Sequence, residues 1–286
     1  MTVVKPGSAS SVAQLLFWQR LPLWVNFRLK KLLRDNGKVF LCQLIVLSIF
    51  LAAWEYGATR QKLNAFLFGS PSGIIEFLII MWKDGSLVHD TWVTGLETIL
   101  GFLLGNVIGT CIGLALWYSR FISRVVQPFI IALGSIPIIA LAPVMIIWFG
   151  TEIESKVAMS TLSVVVVALV TAYKGALSVD EDQINLMRTL GAKKRHIFQK
   201  LVVPSSLADI FTGLKLTVGF ALIGAIIGEF MSSSEGLGHA IFKAGSLYIV
   251  SKVFAALVAT ITLALVLTYI VGKLEQLLTP WRSKPT

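Results

Sequence analysis

Charge is scarce in this sequence: Asp, Glu, Lys and Arg supply 14% of its 286 residues, where a soluble domain carries about a quarter. Acidic groups are the rarer sign, 15 against 25 basic ones. There are two cysteines, Cys42 and Cys111, both inside apolar runs. That excludes a disulfide framework and any zinc-type spacing, and reads as packed thiols. The three histidines, His89, His196 and His239, are far apart in sequence, which argues against a metal site. No G-x-x-x-x-G-K-[ST] phosphate loop occurs, so the chain is not expected to hydrolyse ATP itself. No polar segment is long enough for a separate ligand-capturing domain. The net charge of +10 raises nucleic acid as a partner, yet no basic face with interleaved stacking aromatics is present, which excludes that class.

What is abundant is hydrophobic sequence, 56% of the chain. Apolar runs near twenty residues recur, the length a helix needs to cross ~30 Å of hydrocarbon. The reading is an all-α polytopic membrane protein with six spans, near 39–57, 92–117, 125–149, 157–173, 208–231 and 253–272. The basic stretch "RLKKLLRDNGK" precedes the first span, which places the N-terminus on the cytoplasmic side. Arg120, Arg124, Lys193, Lys194, Arg195, Lys200, Lys273, Arg282 and Lys284 then all fall inside, and both termini are cytoplasmic. The domain reading is a basic, amphipathic segment at 1–38, a membrane domain at 39–275 and a tail at 276–286. Residues 1–38 lack the apolar core of a secretory signal. Phe17, Leu21 and Trp24 form a stripe suited to a helix lying on the inner leaflet, with a loosely ordered basic tail as the alternative. "SPSGIIEFLIIMWKDG" is apolar but too short to span; it reads as an interfacial or re-entrant helix capped by Ser70 or Ser72.

Three features inside the membrane stand out. "GFLLGNVIGTCIG" spaces Gly101, Gly105, Gly109 and Gly113 four residues apart, a smooth groove for close backbone approach within one subunit or between subunits. "SIPIIALAPVMIIWFG" carries Pro137 and Pro143. Each removes a donor and crowds the preceding turn, so this helix should bend or break, either lining a pathway or only packing. Glu97, Lys215 and Glu229 lie near span ends, where they either snorkel to an interface or face a pathway. No deep acid pair and no inverted repeat is evident.

The fourth feature is a charged island, "TLGAKKRHIFQKLVVP", between spans four and five. A short helix from about Asp182 to Leu190 is expected before Gly191, which stops it by accepting a left-handed backbone. The acidic run 180–182 favours its start. A second helix should carry the basic residues and end before Pro204. This segment resembles the inner loop of ABC importer permeases, whose motif runs Glu-Ala-Ala, three residues, Gly, nine residues, then I-x-L-P. Here Asn185-Leu186-Met187 stand in the opening positions, Gly191 follows at the same spacing, and Leu201-Val202-Val203-Pro204 close it. Together with "GFLLGNVIG", "SIPIIALAPVMIIWFG" and "GAIIGEF....GLG", it looks like the nitrate/sulfonate/taurine group of these permeases over roughly 170 residues.

The resemblance implies a type I importer permease fold in the bacterial inner membrane. It implies that the segment 180–204 couples to an ATPase through Asn185, Leu186, Arg188, Gly191, Ala192 and Pro204. Glu97, Pro137, Pro143 and Glu229 become candidates for lining the substrate path. The implied partners are a second permease copy, two ATP-binding subunits that hold the ATP and Mg, and a periplasmic or lipid-anchored binding protein. The substrate would be a small nutrient of the nitrate, sulfonate, taurine, bicarbonate or pyrimidine-like kind, and the acidic Glu97 points to a neutral or heteroaromatic one. The competing reading is an autonomous secondary transporter driven by protons or sodium.

Overall fold

In hydrocarbon a backbone amide finds no partner but its own helix, so apolar runs of this length fold as helices. The computed structural model describes residues 23–60 and 64–278, and helix is the regular structure found among them. The chain divides into two units, Met1–Lys62 and Leu63–Thr286. The described part of the first is one helix, α1 (Leu23–Thr59), whose Val39–Thr59 portion is long and apolar enough to cross a membrane. The stripe expected on an interfacial N-terminal helix begins outside the described residues, as does the tail from residue 279 onward.

The second unit contains α2 (Ala65–Phe68), α3 (Pro71–Lys83), α4 (Ser86–Leu116), α5 (Arg120–Ser135), α6 (Ile138–Phe149) and α7 (Ile153–Leu177). It continues with α8 (Glu181–Thr189), α9 (Lys194–Ile197), a π-helical turn (Phe198–Val202), α10 (Val203–Ser232), α11 (Leu237–Ser246) and α12 (Val250–Leu278). Helices α4, α7 and α12, and α10 with its lead-in from Lys194, are each long and apolar enough to span. The expected third span is two helices, α5 and α6, bent by 93° at residues 136–137. Ile136 is extended, as the residue before a proline prefers, and Pro137 opens the new helix without needing an amide partner. Helix α3 starts at Ser70, whose hydroxyl accepts from the Gly73 amide at 3.1 Å. It ends in a turn in which the Ser86 hydroxyl and amide hold the exposed Asp84 carboxyl below its ordinary pKa.

Helices α4, α7 and α10 form the centre, with α4 and α7 parallel and α10 antiparallel to both. The glycine stripe of α4 faces Ser160, Val164, Ala168 and Ala172 of α7, itself a four-residue repeat that is 0–2% exposed. The backbones touch: a Cβ on Gly113 would stand 2.4 Å from the Leu169 carbonyl oxygen, and one on Gly109 2.5 Å from that of Val165. Among the polar groups at this level, Ser160 donates to Ala221 O at 2.9 Å and Thr217 to Asn106 Oδ1 at 3.1 Å. The glycines therefore serve packing inside one subunit.

Two expectations are corrected. Cys42 and Cys111 are exposed rather than packed. A membrane helix is apolar on every face, so an apolar run does not separate lipid-facing positions from buried ones. The helix carrying the island's basic residues does not end before Pro204. It passes through the π turn and continues as α10, with Pro204 in the first turn of the latter. A wide turn placed just before the proline absorbs the ring's clash with the preceding carbonyls.

Candidate functional site

At one end of the bundle, α8 stands out as a short handle between α7 and α9. The Asp180 side chain caps it by accepting from the Asp182 amide at 2.9 Å. Glu181 and Asp182 occupy its first turn, where the helix dipole favours them. Its other end closes in a Schellman turn. Gly191 N–H donates to Arg188 O and Ala192 N–H to Met187 O, both at 2.9 Å, with Gly191 at φ +78°.

One side of the handle is anchored. Ile184, Met187 and Ala192 pack on a buried cluster of Ala176, Val179, Ile197 and Val202. Below it, Trp117, Tyr118 and Phe198 stack with centroids 4.7–5.8 Å apart, and Lys194 Nζ donates to Tyr118 O at 2.5 Å. The other side is free: Asn185 and Arg188 are exposed, and Leu186 and Leu190, one turn apart, are 61% and 74% exposed. Bare leucines on a charged, rigid helix are what a protein partner's groove takes up. Pro204 lies back along the chain, in the first turn of α10 and away from this free face.

At the opposite end the structure assembles a polar cluster around the elbow between α10 and α11. Each of the first amides of α11 is met by a side chain from another helix or from the far side of the elbow. Gly236 N–H donates to Asp90 Oδ1 at 3.1 Å, Leu237 N–H to Thr94 Oγ1 at 2.8 Å, and Gly238 N–H to Glu229 Oε2 at 2.5 Å. Thr94 passes its own hydrogen to Glu229 Oε1 at 2.6 Å. Glu97, one turn along α4 from Thr94, is buried at the same end of the bundle as Glu229 and interacts with it electrostatically. Lys156 sits beside them, its ammonium bonded to the carbonyls of Thr151, Glu152 and Ser232. His89 pairs with Glu235 at 3.1 Å on the rim.

The cluster brings Glu97 and Glu229, separate span-end residues in the sequence, to the same end of the bundle. Glu97 and Glu229 are 2% and 1% exposed, sealed inside one subunit and held by the elbow. Neither side chain reaches the surface of the chain. Sequence reasoning missed Asp90 and Thr94. Their signal was the spacing 90, 94, 97, 101, one helical face that carries the polar cluster straight into the glycine stripe. Pro137 and Pro143, by contrast, are both exposed, on the bent α5–α6 pair. Lys215 does not stand alone: it pairs with Glu275 of α12. Among the described residues no group of His, Cys, Asp and Glu is arranged to hold a metal ion.

Comparison with known proteins gives a consistent picture. Residues 98–280 match the family described as the binding-protein-dependent transport system inner membrane component. The formylaminopyrimidine transport permease protein of Halalkalibacterium halodurans is 33% identical over 243 residues, covering 82% of this chain and 94% of that protein. The riboflavin transport system permease protein of Chloroflexus aurantiacus is 31% identical over 239 residues, covering 84% and 89%. Among solved structures, the MetNI methionine ABC transporter in an inward-facing conformation superimposes with a TM-score of 0.61 at 20% identity, over 68% of this chain and 95% of that one. At that identity the likeness concerns the fold.

Proposed function

Since the chain belongs to the binding-protein-dependent transport system inner membrane component family, we propose that it forms the paired membrane channel of an importer for a heteroaromatic nutrient. It is the permease subunit of an ATP-driven importer in the inner membrane, and ATP hydrolysis belongs to a separate subunit. The observation that carries the finer reading is the handle: α8 is capped at both ends, anchored on one face and bare on the other. The bare face, with Asn185, Leu186 and Arg188, docks in an ATP-binding subunit on the cytoplasmic side, and the Gly191–Ala192 turn fixes its angle.

Two copies of the chain stand side by side, each on its own ATP-binding subunit, and the path runs between them past the α5–α6 bend with Pro137 and Pro143. Closure of the ATP-bound subunits draws the handles together and opens the far end to a loaded binding protein; hydrolysis returns the cavity inward. ATP drives the change because it binds one of the two arrangements more tightly. The relatives named for a formylaminopyrimidine and for riboflavin share more identity with this chain than those named for sulfonates or taurine, which supports a pyrimidine- or flavin-like cargo. An autonomous proton-driven carrier is disfavoured, because Glu229 is taken up by the Gly238 amide and the Thr94 hydroxyl and both Glu97 and Glu229 are buried.

Co-expression with an ATP-binding subunit and a binding protein tests this. ATPase activity in proteoliposomes should rise with binding protein loaded with a formylated aminopyrimidine or riboflavin. A rise with taurine in their place overturns the cargo, and uptake by the chain alone without ATP overturns the assembly.

A further inference from the structure

Between the handle and the turn that joins α4 to α5 lies a cavity of about 440 Å³, walled by the ends of α4 and α7, the α4–α5 turn, α8 and the start of α9. Three cations line it: Arg120 at the start of α5, Arg188 on α8 and Lys194 at the start of α9. One carboxylate, Glu181, faces them, which leaves a net charge of +2. These charges are loosely engaged with one another. Arg120 meets Glu181 at 3.5 Å with side chains 88% and 81% exposed, a surface pair worth little and readily exchanged for a stronger anion. Arg188 donates to Asn185 Oδ1 at 3.3 Å. Lys194 donates to Tyr118 O at 2.5 Å and lies 5.7 and 5.8 Å from the centres of the Trp117 and Tyr118 rings. That fixes the ammonium at the cavity wall with donors to spare.

The depth of the cavity is set by the helices around it. Leu116 and Leu177 are the last residues of the spanning helices α4 and α7, and both line it. Trp117 and Tyr118 follow directly, the residue types that favour the level where hydrocarbon gives way to headgroups. Leu177 on the wall and Phe121 beside Arg120 are 57% and 77% exposed, apolar surface next to the cations. Basic pockets between helix ends at this level take up lipid phosphates.

The geometry points to a binding site for the headgroup of an anionic phospholipid in this cavity, its phosphate held by Arg120, Arg188 and Lys194 and its acyl chains on Leu177 and Phe121. Because Arg188 belongs to α8 and Arg120 to α5, a lipid seated here ties the handle to the membrane surface. The site does not depend on what the chain transports.

Native mass spectrometry of the full chain in detergent, titrated with phosphatidylglycerol or phosphatidylcholine, tests this. Wild type should bind phosphatidylglycerol at least about fivefold more tightly. Arg120→Gln should lose most of that preference and Arg120→Lys should retain most of it, with thermal midpoints in lipid-free detergent unchanged. Arg124→Gln is the control, an exposed cation one turn along α5 that does not line the cavity, and should bind as wild type does. Equal affinity for the two lipids overturns the proposal, as does an equal loss in Arg120→Gln and Arg124→Gln, which would mean a diffuse surface attraction. Displacement of the lipid by an equal concentration of glycerol 3-phosphate also overturns it, by making the cavity a site for a soluble phosphate ester.

Discussion

The amide of Ala192 donates to the carbonyl of Met187 at 2.9 Å, and Gly191 stands between them at φ +78°. A Cβ on Gly191 would meet nothing within 4 Å, so the position excludes other residues by backbone strain alone. An L-residue there costs about 1–2 kcal/mol, while asparagine visits this region more readily. Gly191→Val and Gly191→Ala should loosen the handle, and Gly191→Asn should retain most of its rigidity. Limited trypsin cleavage at residues 193–195 should be fastest in the valine variant and slowest in wild type, with membrane insertion unchanged.

The glycine stripe gives a sharper contrast. A methyl group on Gly113 meets a backbone oxygen of the neighbouring helix at 2.4 Å, whereas one on Gly219 meets nothing within 4 Å. Overpacking of a close contact costs about 1–3 kcal/mol. Gly219→Ala should be neutral or gain about 0.5–1 kcal/mol from helix propensity. Heat-induced aggregation of detergent-solubilised protein separates the two, and equal midpoints would mean that α4 and α7 are not packed as described.

Much of this was legible in the sequence because it rests on local chemistry. Hydropathy and length gave the spans, Pro137 the break in the third, and Gly191 with the acidic run the handle's ends. Neighbour choice was not legible. Glu97 and Glu229 are 132 positions apart, and only the antiparallel pairing of α4 with α10 brings them together. Cys111 lies two residues from buried Gly113 yet faces outward, because an apolar run looks the same on the lipid side as on the packed side. Pro204 was misread for a related reason. Its effect depends on whether the preceding turn can widen, and the π turn at Phe198–Val202 does so.

Thr94 is the hinge pin of the elbow, donating to Glu229 at 2.6 Å while accepting from the Leu237 amide at 2.8 Å. Thr94→Val keeps the shape, removes one of the two donors to Glu229 and leaves the Leu237 amide buried without an acceptor, at about 1–3 kcal/mol for the amide alone. Thr94→Ser should behave like wild type. Thermal midpoints of the two variants in detergent check this, and a valine variant as stable as wild type would count against the hydrogen-bonded elbow.

The turn between α3 and α4 should respond to acid. The Ser86 hydroxyl and amide keep Asp84 ionised to lower pH than an unfolded aspartate. Its contribution is therefore full above the ordinary aspartate value of about 3.9 and is lost as pH falls below it. Hydrogen exchange at the Ser86 amide should accelerate in that acid range in wild type, and the acceleration should be absent in Asp84→Asn.

Leu186 and Leu190 separate docking from folding. Both are exposed, so replacing either with aspartate removes no internal contact and should change stability by no more than about 0.5 kcal/mol. If the pair seats in a groove of the ATP-binding subunit, each is a buried anchor in the assembly, where truncation costs about 2 kcal/mol or more, over tenfold in affinity. Met187 is the control on the other face: it packs with Ile184 on the cluster beneath the handle, so Met187→Asp should damage the permease itself. Affinity purification of tagged chains with the ATP-binding subunit reads the difference. Leu186→Asp and Leu190→Asp should yield inserted, heat-stable permease with little partner, and Met187→Asp should yield little permease. Full partner recovery with both leucine variants would mean that the exposed face of α8 is not where the motor docks.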